Sequence, residues 1–305
     1  MSTPRLASGS RMDSELHNSR TSTEVQASQS SIIWRPPTGV LGGIVAEAYE
    51  RVARLRADRA LVAAIEREAA SAPVAPSFRS ALRRPMVSVI AEVKRRSPSK
   101  GSINPSMSAG AQASSYVEGG AAAVSVLTEP AHFGGSLDDL RSARTAVASS
   151  APLLRKDFHV DELQLLEARA AGAAAALLIA RALSPDVLHR LVAFAMSIEL
   201  EPLVEVRTST ELERAVASGA RVIGVNNRDL ETLKIEPEVG AALVRLVPAD
   251  CVAIAESGVR GVADVKRASG SGADAVLVGS SISASPDPAA AVRALTNVPR
   301  SERGG

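Results

Sequence analysis

The sequence predicts an α/β fold, namely a (β/α)8 TIM barrel with an extra N-terminal helical segment. Short apolar runs alternate eight times with helical segments of ~10 to 14 residues between positions 87 and 279. Such alternation implies a parallel sheet, and eight repeats in one chain of this length are typical of a closed barrel. No G-x-G-x-x-G turn follows the first run, although an open dinucleotide-binding sheet usually carries one there.

Each predicted strand is rich in apolar, often β-branched residues and is bounded by turn-forming residues. The eight runs are residues 87–94, 122–128, 152–156, 175–180, 202–206, 222–226, 252–256 and 275–279. Glycine closes several of the intervening helices just before the next strand, as at Gly120, Gly172, Gly219 and Gly272. These helix-ending glycines support the division of the chain into eight strand–helix units.

Other segments flank the barrel. Residues 40–70 carry apolar side chains at helical spacing among Glu and Arg, so we expect one or two amphipathic helices that end before Pro73. Residues 1–37 are rich in Ser, Thr, Arg, Glu and Gln and lack the apolar run of a secretory signal, which predicts a disordered N-terminal extension. The barrel with its helical addition is predicted to span 38–297, followed by a flexible C-terminal tail over 298–305.

Composition narrows the classes of function. The 305 residues are 46% apolar with a formal net charge of +2, and the basic residues are scattered, which argues against nucleic-acid binding. The apolar runs fall short of the ~18 residues that cross a membrane. A single cysteine, Cys251, excludes an intramolecular disulfide and is consistent with a reducing compartment. We therefore expect a cytoplasmic protein with a small-molecule partner, a monomer because no separate interface element is evident, and no metal site because the histidines lack metal-ligand spacing.

The first strand carries two opposite charges on one face. In VSVIAEVK, residues 87–94, the odd positions are uniformly apolar and should pack against helices. Glu92 and Lys94 lie on the other face, so they should point into the barrel mouth, where such barrels place their active-site groups.

Four other strands end in the same way. Lys156 ends the third strand, Glu205 the fifth, Asn226 the sixth and Glu256 the seventh. Singly, each has a structural alternative: an ion pair for the first-strand charges, acceptors for backbone amides at the two later glutamates, a turn former at the asparagine. Together they favour an active site, since uncompensated buried charges cost several kcal/mol each.

Two further patterns concern the ligand. Gly279-Ser280 after the eighth strand and Ser257-Gly258 after the seventh lie where barrels of this type bind phosphate with loop amides and a short helix, here expected to begin near Ser280. Ser97, after the first strand, adds a hydroxyl donor. Apolar side chains that could face the pocket suggest a flat apolar ligand, with core packing as the alternative for each. They are Phe133, Phe158, Leu177, Ile179 and Leu230.

Several motifs closely resemble the indole-3-glycerol phosphate synthase family. They are IAEVKRRSPSKG (90–101), SVLTEPAHFGGS (125–136), PLLRKDFHVDE (152–162), VEVRT (204–208), IGVNNRDL (223–230) and AESGV (255–259). The likeness runs in order over about residues 40–292. It implies a carboxy-lyase of tryptophan biosynthesis that closes 1-(2-carboxyphenylamino)-1-deoxyribulose 5-phosphate to an indole with loss of CO2 and water, without a cofactor.

The resemblance also implies roles for individual residues. Lys156 would be the general acid at the ribulose carbonyl, Glu92 and Lys94 would serve proton transfer and dehydration, and Glu205 and Asn226 would complete the catalytic set. How proton transfer divides between the two lysines stays open. Phosphate binding would fall to Ser97, Gly258, Gly279 and Ser280, substrate orientation to Arg228, Glu256 and Ser257, and the sandwich around the anthranilate ring to Phe133, Phe158, Leu177, Ile179 and Leu230.

The chemistry leads to further expectations and alternatives. A lysine in a partly desolvated mouth should have a lowered pKa, and the loop basics Arg95, Arg96 and Lys100 should help to bind the anionic substrate, on a mobile lid after the first strand. Alternatives are another phosphate-binding barrel, such as phosphoribosylanthranilate isomerase, or a sugar-phosphate-binding barrel without catalysis.

Overall fold

A computed structural model describes residues 34–303, in which eight parallel strands close into a barrel. The strands are β1 Ser88–Val93, β2 Ala123–Leu127, β3 Leu153–Lys156, β4 Ala175–Ile179, β5 Glu201–Val206, β6 Val222–Asn226, β7 Val252–Glu256 and β8 Ala275–Val278. Each strand pairs with the next along the chain, and β8 pairs with β1. The predicted (β/α)8 barrel is confirmed, with strand ends within one residue of the predicted ones.

Helices surround the barrel and connect its strands. They are α1 Gly39–Ala57, α2 Arg59–Ser71, α3 Phe78–Leu82, α4 Ala109–Glu118, α5 Pro130–Phe133, α6 Leu137–Val147, α7 Glu162–Ala170, α8 Pro185–Ser197, α9 Ser209–Ala217, α10 Pro237–Leu246, α11 Val262–Gly270, α12 Ser280–Ser283 and α13 Pro288–Arg293. A 3-10 turn, Ala180–Ala182, follows β4, and a small hairpin pairs Arg96–Ser97 with Gly101–Ser102 after β1. Among the described residues, no helix is both long and apolar enough to cross a bilayer.

The N-terminal helices α1 and α2 form the predicted helical addition. Asp58 separates them, and its carboxylate accepts a hydrogen bond from the Leu61 amide, which caps α2. The buried face of α1 carries Leu41, Ile44 and Val45 at helical spacing. At the other side, α2 packs against α7. This arrangement brings the start of α1 to the active-site end of the barrel.

The segment after α13 makes defined contacts with the barrel. Pro299 forms a β-bridge with Met86, and Arg300 and Arg303 each pair with the buried Asp274 at 2.6 Å. The predicted domain boundaries stay predictions. Of the predicted N-terminal extension, residues 1–33 lie outside the described part of the chain, as do residues 304 and 305 of the predicted tail.

Candidate active site

A cavity of about 540 Å³ opens at the carboxyl ends of the strands. Because parallel strands of a closed barrel end at one rim, side chains far apart in sequence converge there. The cavity is lined by every site residue that the sequence predicted. They are Glu92, Lys94, Lys156, Glu205 and Asn226, together with Ser97, Phe133, Phe158, Leu177, Ile179, Arg228, Leu230, Glu256, Ser257, Gly258, Gly279 and Ser280.

Glu92 and Lys94 form a close ion pair inside the mouth. Their charged atoms lie 2.8 Å apart, and the two side chains are only 4% and 15% exposed. Burial alone would raise the pKa of Glu92, but Lys94 and then Lys156 attract its charged form and bring the pKa below its ordinary value. Glu92 is therefore a carboxylate at neutral pH, available to accept a proton.

Lys156 lies among three carboxylates. Its ammonium is 3.5 Å from Glu205 and 3.6 Å from Glu256. Burial alone would lower the pKa of Lys156, but Glu256, Glu205 and Glu92 together raise it well above its ordinary value. The expectation that desolvation lowers the pKa of the catalytic lysine is therefore wrong for Lys156, because paired carboxylates outweigh burial.

Glu256 is the most perturbed carboxyl group of the site. Burial raises its pKa to about 8, an effect that Lys156 opposes and Glu205 reinforces. Its buried Oε1 atom has no hydrogen-bond partner in the described part of the chain and lies against Gly224, where an added Cβ would collide with it. Glu256 therefore takes up a proton more readily than an ordinary carboxyl group.

Asn226 links two parts of the rim. Its Nδ2 donates to Glu205 Oε1 at 2.9 Å, and its Oδ1 accepts from the Arg228 backbone amide at 2.9 Å. The Arg228 side chain in turn donates to the Leu233 carbonyl at 2.9 Å. The asparagine therefore fixes the Glu205 carboxylate and starts the loop that carries Arg228.

The predicted phosphate end combines backbone amides with a hydroxyl. Ser257 and Gly258 adopt successive left-handed conformations, with φ of 64° and 86°. Gly279 precedes α12, whose first residue is Ser280, so the short helix begins where the sequence predicted. Ser97 lines the same cavity, and its buried Oγ has no hydrogen-bond partner among the described residues. Unpaired donors of this kind are what a phosphate group needs.

The basic residues after β1 do not act as a group. Arg95 pairs with Asp139 and donates to the Met107 carbonyl at 2.9 Å, and Arg96 donates to the His132 carbonyl at 3.2 Å. Neither lines the cavity, so the prediction that both help to bind the substrate is wrong. Lys100 does line it.

One wall of the cavity is aromatic. The rings of Phe133 and Phe158 lie 6.2 Å apart between centroids and are inclined by 37°. This tilted pair is a favourable arrangement of two aromatic rings, and with the aliphatic side chains of β4 it offers an apolar surface to a flat ligand.

Comparison with known proteins agrees with this geometry. A sequence model of the indole-3-glycerol phosphate synthase family matches residues 41–295. Indole-3-glycerol phosphate synthase 2 of Streptomyces coelicolor is 46% identical over 85% of this chain and 99% of its own. The chain belongs to the indole-3-glycerol phosphate synthase family. Synthases of Nocardioides sp. and Mycobacterium ulcerans are 52% and 47% identical, over 73% and 85% of this chain and 84% and 94% of their own.

Family membership makes the chain a carboxy-lyase of tryptophan biosynthesis and lends no support to a barrel without catalysis. More distant solved structures share the fold alone. Thiamine phosphate pyrophosphorylase from Pyrococcus furiosus is 17% identical with a TM-score of 0.54, covering 70% of this chain and 95% of its own. 3-Hexulose-6-phosphate synthase from Salmonella typhimurium is 14% identical with a TM-score of 0.54, covering 68% and 96%.

The cavity is also lined by residues that the sequence did not predict. Val40, Leu41 and Ile44 of α1 line it, and so do Leu127 and Leu277. The two leucines could have been found, because alternation places them on the inner faces of β2 and β8. The α1 residues carried only the signal of an amphipathic helix, which does not reveal what its apolar face meets.

Proposed function

We propose that this cavity binds 1-(2-carboxyphenylamino)-1-deoxyribulose 5-phosphate and closes it to indole-3-glycerol phosphate with the residues described above. The supporting observation is a buried lysine held by carboxylates, beside a second lysine–glutamate pair, between an apolar aromatic wall and unpaired phosphate donors. A cavity of about 540 Å³ suits a ligand of this size.

The two ends of the cavity orient the substrate. The phosphate is held by Ser97 and by the amides around Gly258, Gly279 and Ser280, and within residues 34–303 no group bonds to the Ser97 hydroxyl. The anthranilate ring lies against the aromatic wall and the aliphatic residues Leu177, Ile179 and Leu230. Arg228, Glu256 and Ser257 bind its polar groups. This places the ribulose carbonyl near the buried lysines.

Ring closure is assisted by Lys156. The aromatic carbon that bears the carboxyl group attacks the ribulose carbonyl carbon. As the double bond opens, the carbonyl oxygen takes up a proton from Lys156, which regains one from water later in the cycle. Because the surrounding carboxylates raise the pKa of Lys156, it is an ammonium at neutral pH and stabilises the developing alkoxide. Departure of CO2 then restores the aromatic ring.

Dehydration needs an acid and a base. The new hydroxyl group leaves as water with a proton from Lys94, and Glu92 removes a proton from the adjacent ring carbon, so the double bond of the indole forms. The 2.8 Å contact between the two groups lets the proton pass back between them afterwards. Glu205 holds Lys156 in position, and Asn226 holds the Glu205 carboxylate and the loop that carries Arg228.

Mixing the protein with the substrate tests the activity. We expect indole absorbance and fluorescence to appear together with one equivalent of CO2. Binding of the substrate without any indole would instead support a sugar-phosphate-binding barrel.

We further propose that the protein works as a cytoplasmic monomer, binds no nucleic acid or membrane, and requires no metal or cofactor. Lysines and carboxylates supply the proton transfers, so activity should persist in excess chelator, and light scattering should give the mass of one chain. Loss of activity on chelation, or a larger mass, would contradict these points.

A further inference from the structure

Arg51 of α1 joins two buried carboxylates at the edge of the active site. Its Nη1 lies 3.4 Å from Glu129 Oε1, and its Nη2 lies 3.0 Å from Asp157 Oδ1. The arginine side chain is 24% exposed, whereas the carboxylates are 0% and 3% exposed. The helix that precedes the barrel therefore supplies a cation to two groups that water barely reaches.

Each carboxylate also holds the backbone of one phenylalanine of the aromatic wall. Glu129 Oε2 accepts from the Phe133 amide at 3.0 Å, since Glu129 caps α5 and Phe133 is the last residue of that short helix. Asp157 Oδ1 accepts from the Phe158 amide at 2.8 Å. Arg51 thus connects the anchor of one ring to the anchor of the other.

Arg51 contacts both carboxylates, and two other side chains, of which Thr128 directly precedes Glu129, also hold Asp157. Asp157 Oδ2 accepts from Thr128 Oγ1 at 2.7 Å and from Arg155 at 3.1 Å. Arg155 is itself committed to the Gln164 carbonyl, at 2.7 Å. Burial alone would raise the pKa of Asp157, but Arg155 and then other groups, Arg51 among them, lower it, so the group stays charged.

Without Arg51, the two anchors would be neighbouring buried anions. Like charges in a poorly solvated place repel, and each carboxylate would keep its backbone amide donors but lose the cation that it shares with the other. We expect this repulsion to shift the loops after β2 and β3, which carry the two rings. The same change would remove one contact between the barrel and α1, whose residues Leu41 and Ile44 line the cavity.

We propose that Arg51 is a positioning residue that sets the spacing of the Phe133 and Phe158 rings and thereby the affinity for the aromatic half of the substrate. The inference rests on the proposed function, because it assigns the aromatic wall to the anthranilate ring. It predicts that Arg51 matters for the ring end of the cavity and not for the phosphate end.

The test compares Arg51→Gln with Arg51→Lys and with a matched control, Arg56→Gln. Arg56 lies on the same helix and pairs with Asp161, 2.7 Å away, but neither residue lines the cavity. We expect Arg51→Gln to raise KM about tenfold with a smaller fall in kcat, because a displaced wall weakens ring binding before it disturbs the lysines. The KM of Arg51→Lys should lie between those of Arg51→Gln and the parent, and the KM and kcat of Arg56→Gln should equal the parental values.

Inorganic phosphate, used as an inhibitor, separates local displacement from general damage. Its inhibition constant should be the same in Arg51→Gln and the parent. Three results would each overturn the proposal. KM could be unchanged in Arg51→Gln, KM could rise as much in Arg56→Gln as in Arg51→Gln, or phosphate inhibition of Arg51→Gln could weaken by the same factor as substrate binding. If Arg51→Gln does not fold, the Lys variant carries the comparison. If the parent makes no indole, the proposed function has failed, and calorimetric titration of the substrate into the same variants still tests Arg51.

Discussion

Replacing Glu256 by glutamine should make the protein more stable at alkaline pH than at acidic pH, relative to the parent. The carboxyl group is 1% exposed, and burial raises its pKa from 4.5 to about 8. In the unfolded chain the same group should titrate near its ordinary value. At a pH between the unfolded and folded pKa values of Glu256, the folded protein binds one proton more than the unfolded chain. Glu256 therefore makes the parent less stable as pH rises. Glutamine has the shape of the protonated acid and does not titrate.

The size of the effect follows from the two pKa values. At about 1.4 kcal/mol for each pH unit, the full interval corresponds to roughly 5 kcal/mol, of which roughly 3 kcal/mol falls between about pH 5.5 and about pH 8.5. The free energy of unfolding of Glu256→Gln minus that of the parent should therefore rise by this amount over that range. Subtracting the parent at each pH removes the titration of groups that do not interact with Glu256.

Urea unfolding at a series of pH values measures this difference. Glu213→Gln, which changes an exposed carboxylate on α9, serves as the control and should give a difference that does not depend on pH. If the free energies of unfolding of Glu256→Gln and the parent changed with pH in parallel, the reasoning would be refuted, since the Glu256 pKa would then be the same in the folded and unfolded states.

Two further substitutions test the geometry of the rim and the end of the chain. Gly279→Ala would place a Cβ against the Glu92 carboxylate and 2.9 Å from Lys94 Nζ, so kcat should fall at least about tenfold, whereas Gly43→Ala, with open space around it, should leave kcat unchanged. Equal kcat in the two variants would contradict the role of the ion pair. Arg303→Ala removes a 2.6 Å ion pair to a buried aspartate and a hydrogen bond to the Cys251 carbonyl, and should cost about 2 kcal/mol in urea unfolding; an unchanged unfolding midpoint would show that this contact contributes nothing.

Much of the barrel could be predicted because its signals are local. Strand positions follow from apolar runs closed by glycine, and the period of two shows that Glu92 and Lys94 share the inner face of β1. The convergence of Lys156, Glu205 and Asn226 then follows from the barrel itself, because every parallel strand ends at the same rim.

The electrostatics of the site could not be predicted in the same way. The pKa of Lys156 depends on how many carboxylates surround it, and Glu205 and Glu256 reach it from other strands at distances that a sequence does not give. The pairing of Arg95 with Asp139, which removes it from the cavity, is likewise a contact between distant segments. Both errors came from judging a charge by its local sequence.

Replacing Lys156 by alanine tests the central claim, that this ammonium assists ring closure. Glu205 and Glu256 would lose their cation, yet burial raises the pKa of Glu256, so this carboxyl group can take up a proton instead and the variant should fold and bind the substrate. Lys266→Ala, which changes an exposed lysine on α11, is the control. In single-turnover mixing with the substrate, followed by indole fluorescence, Lys156→Ala should form indole about a thousandfold more slowly than the parent while its Kd stays within a few-fold. Indole formation at close to the parental rate would contradict the account.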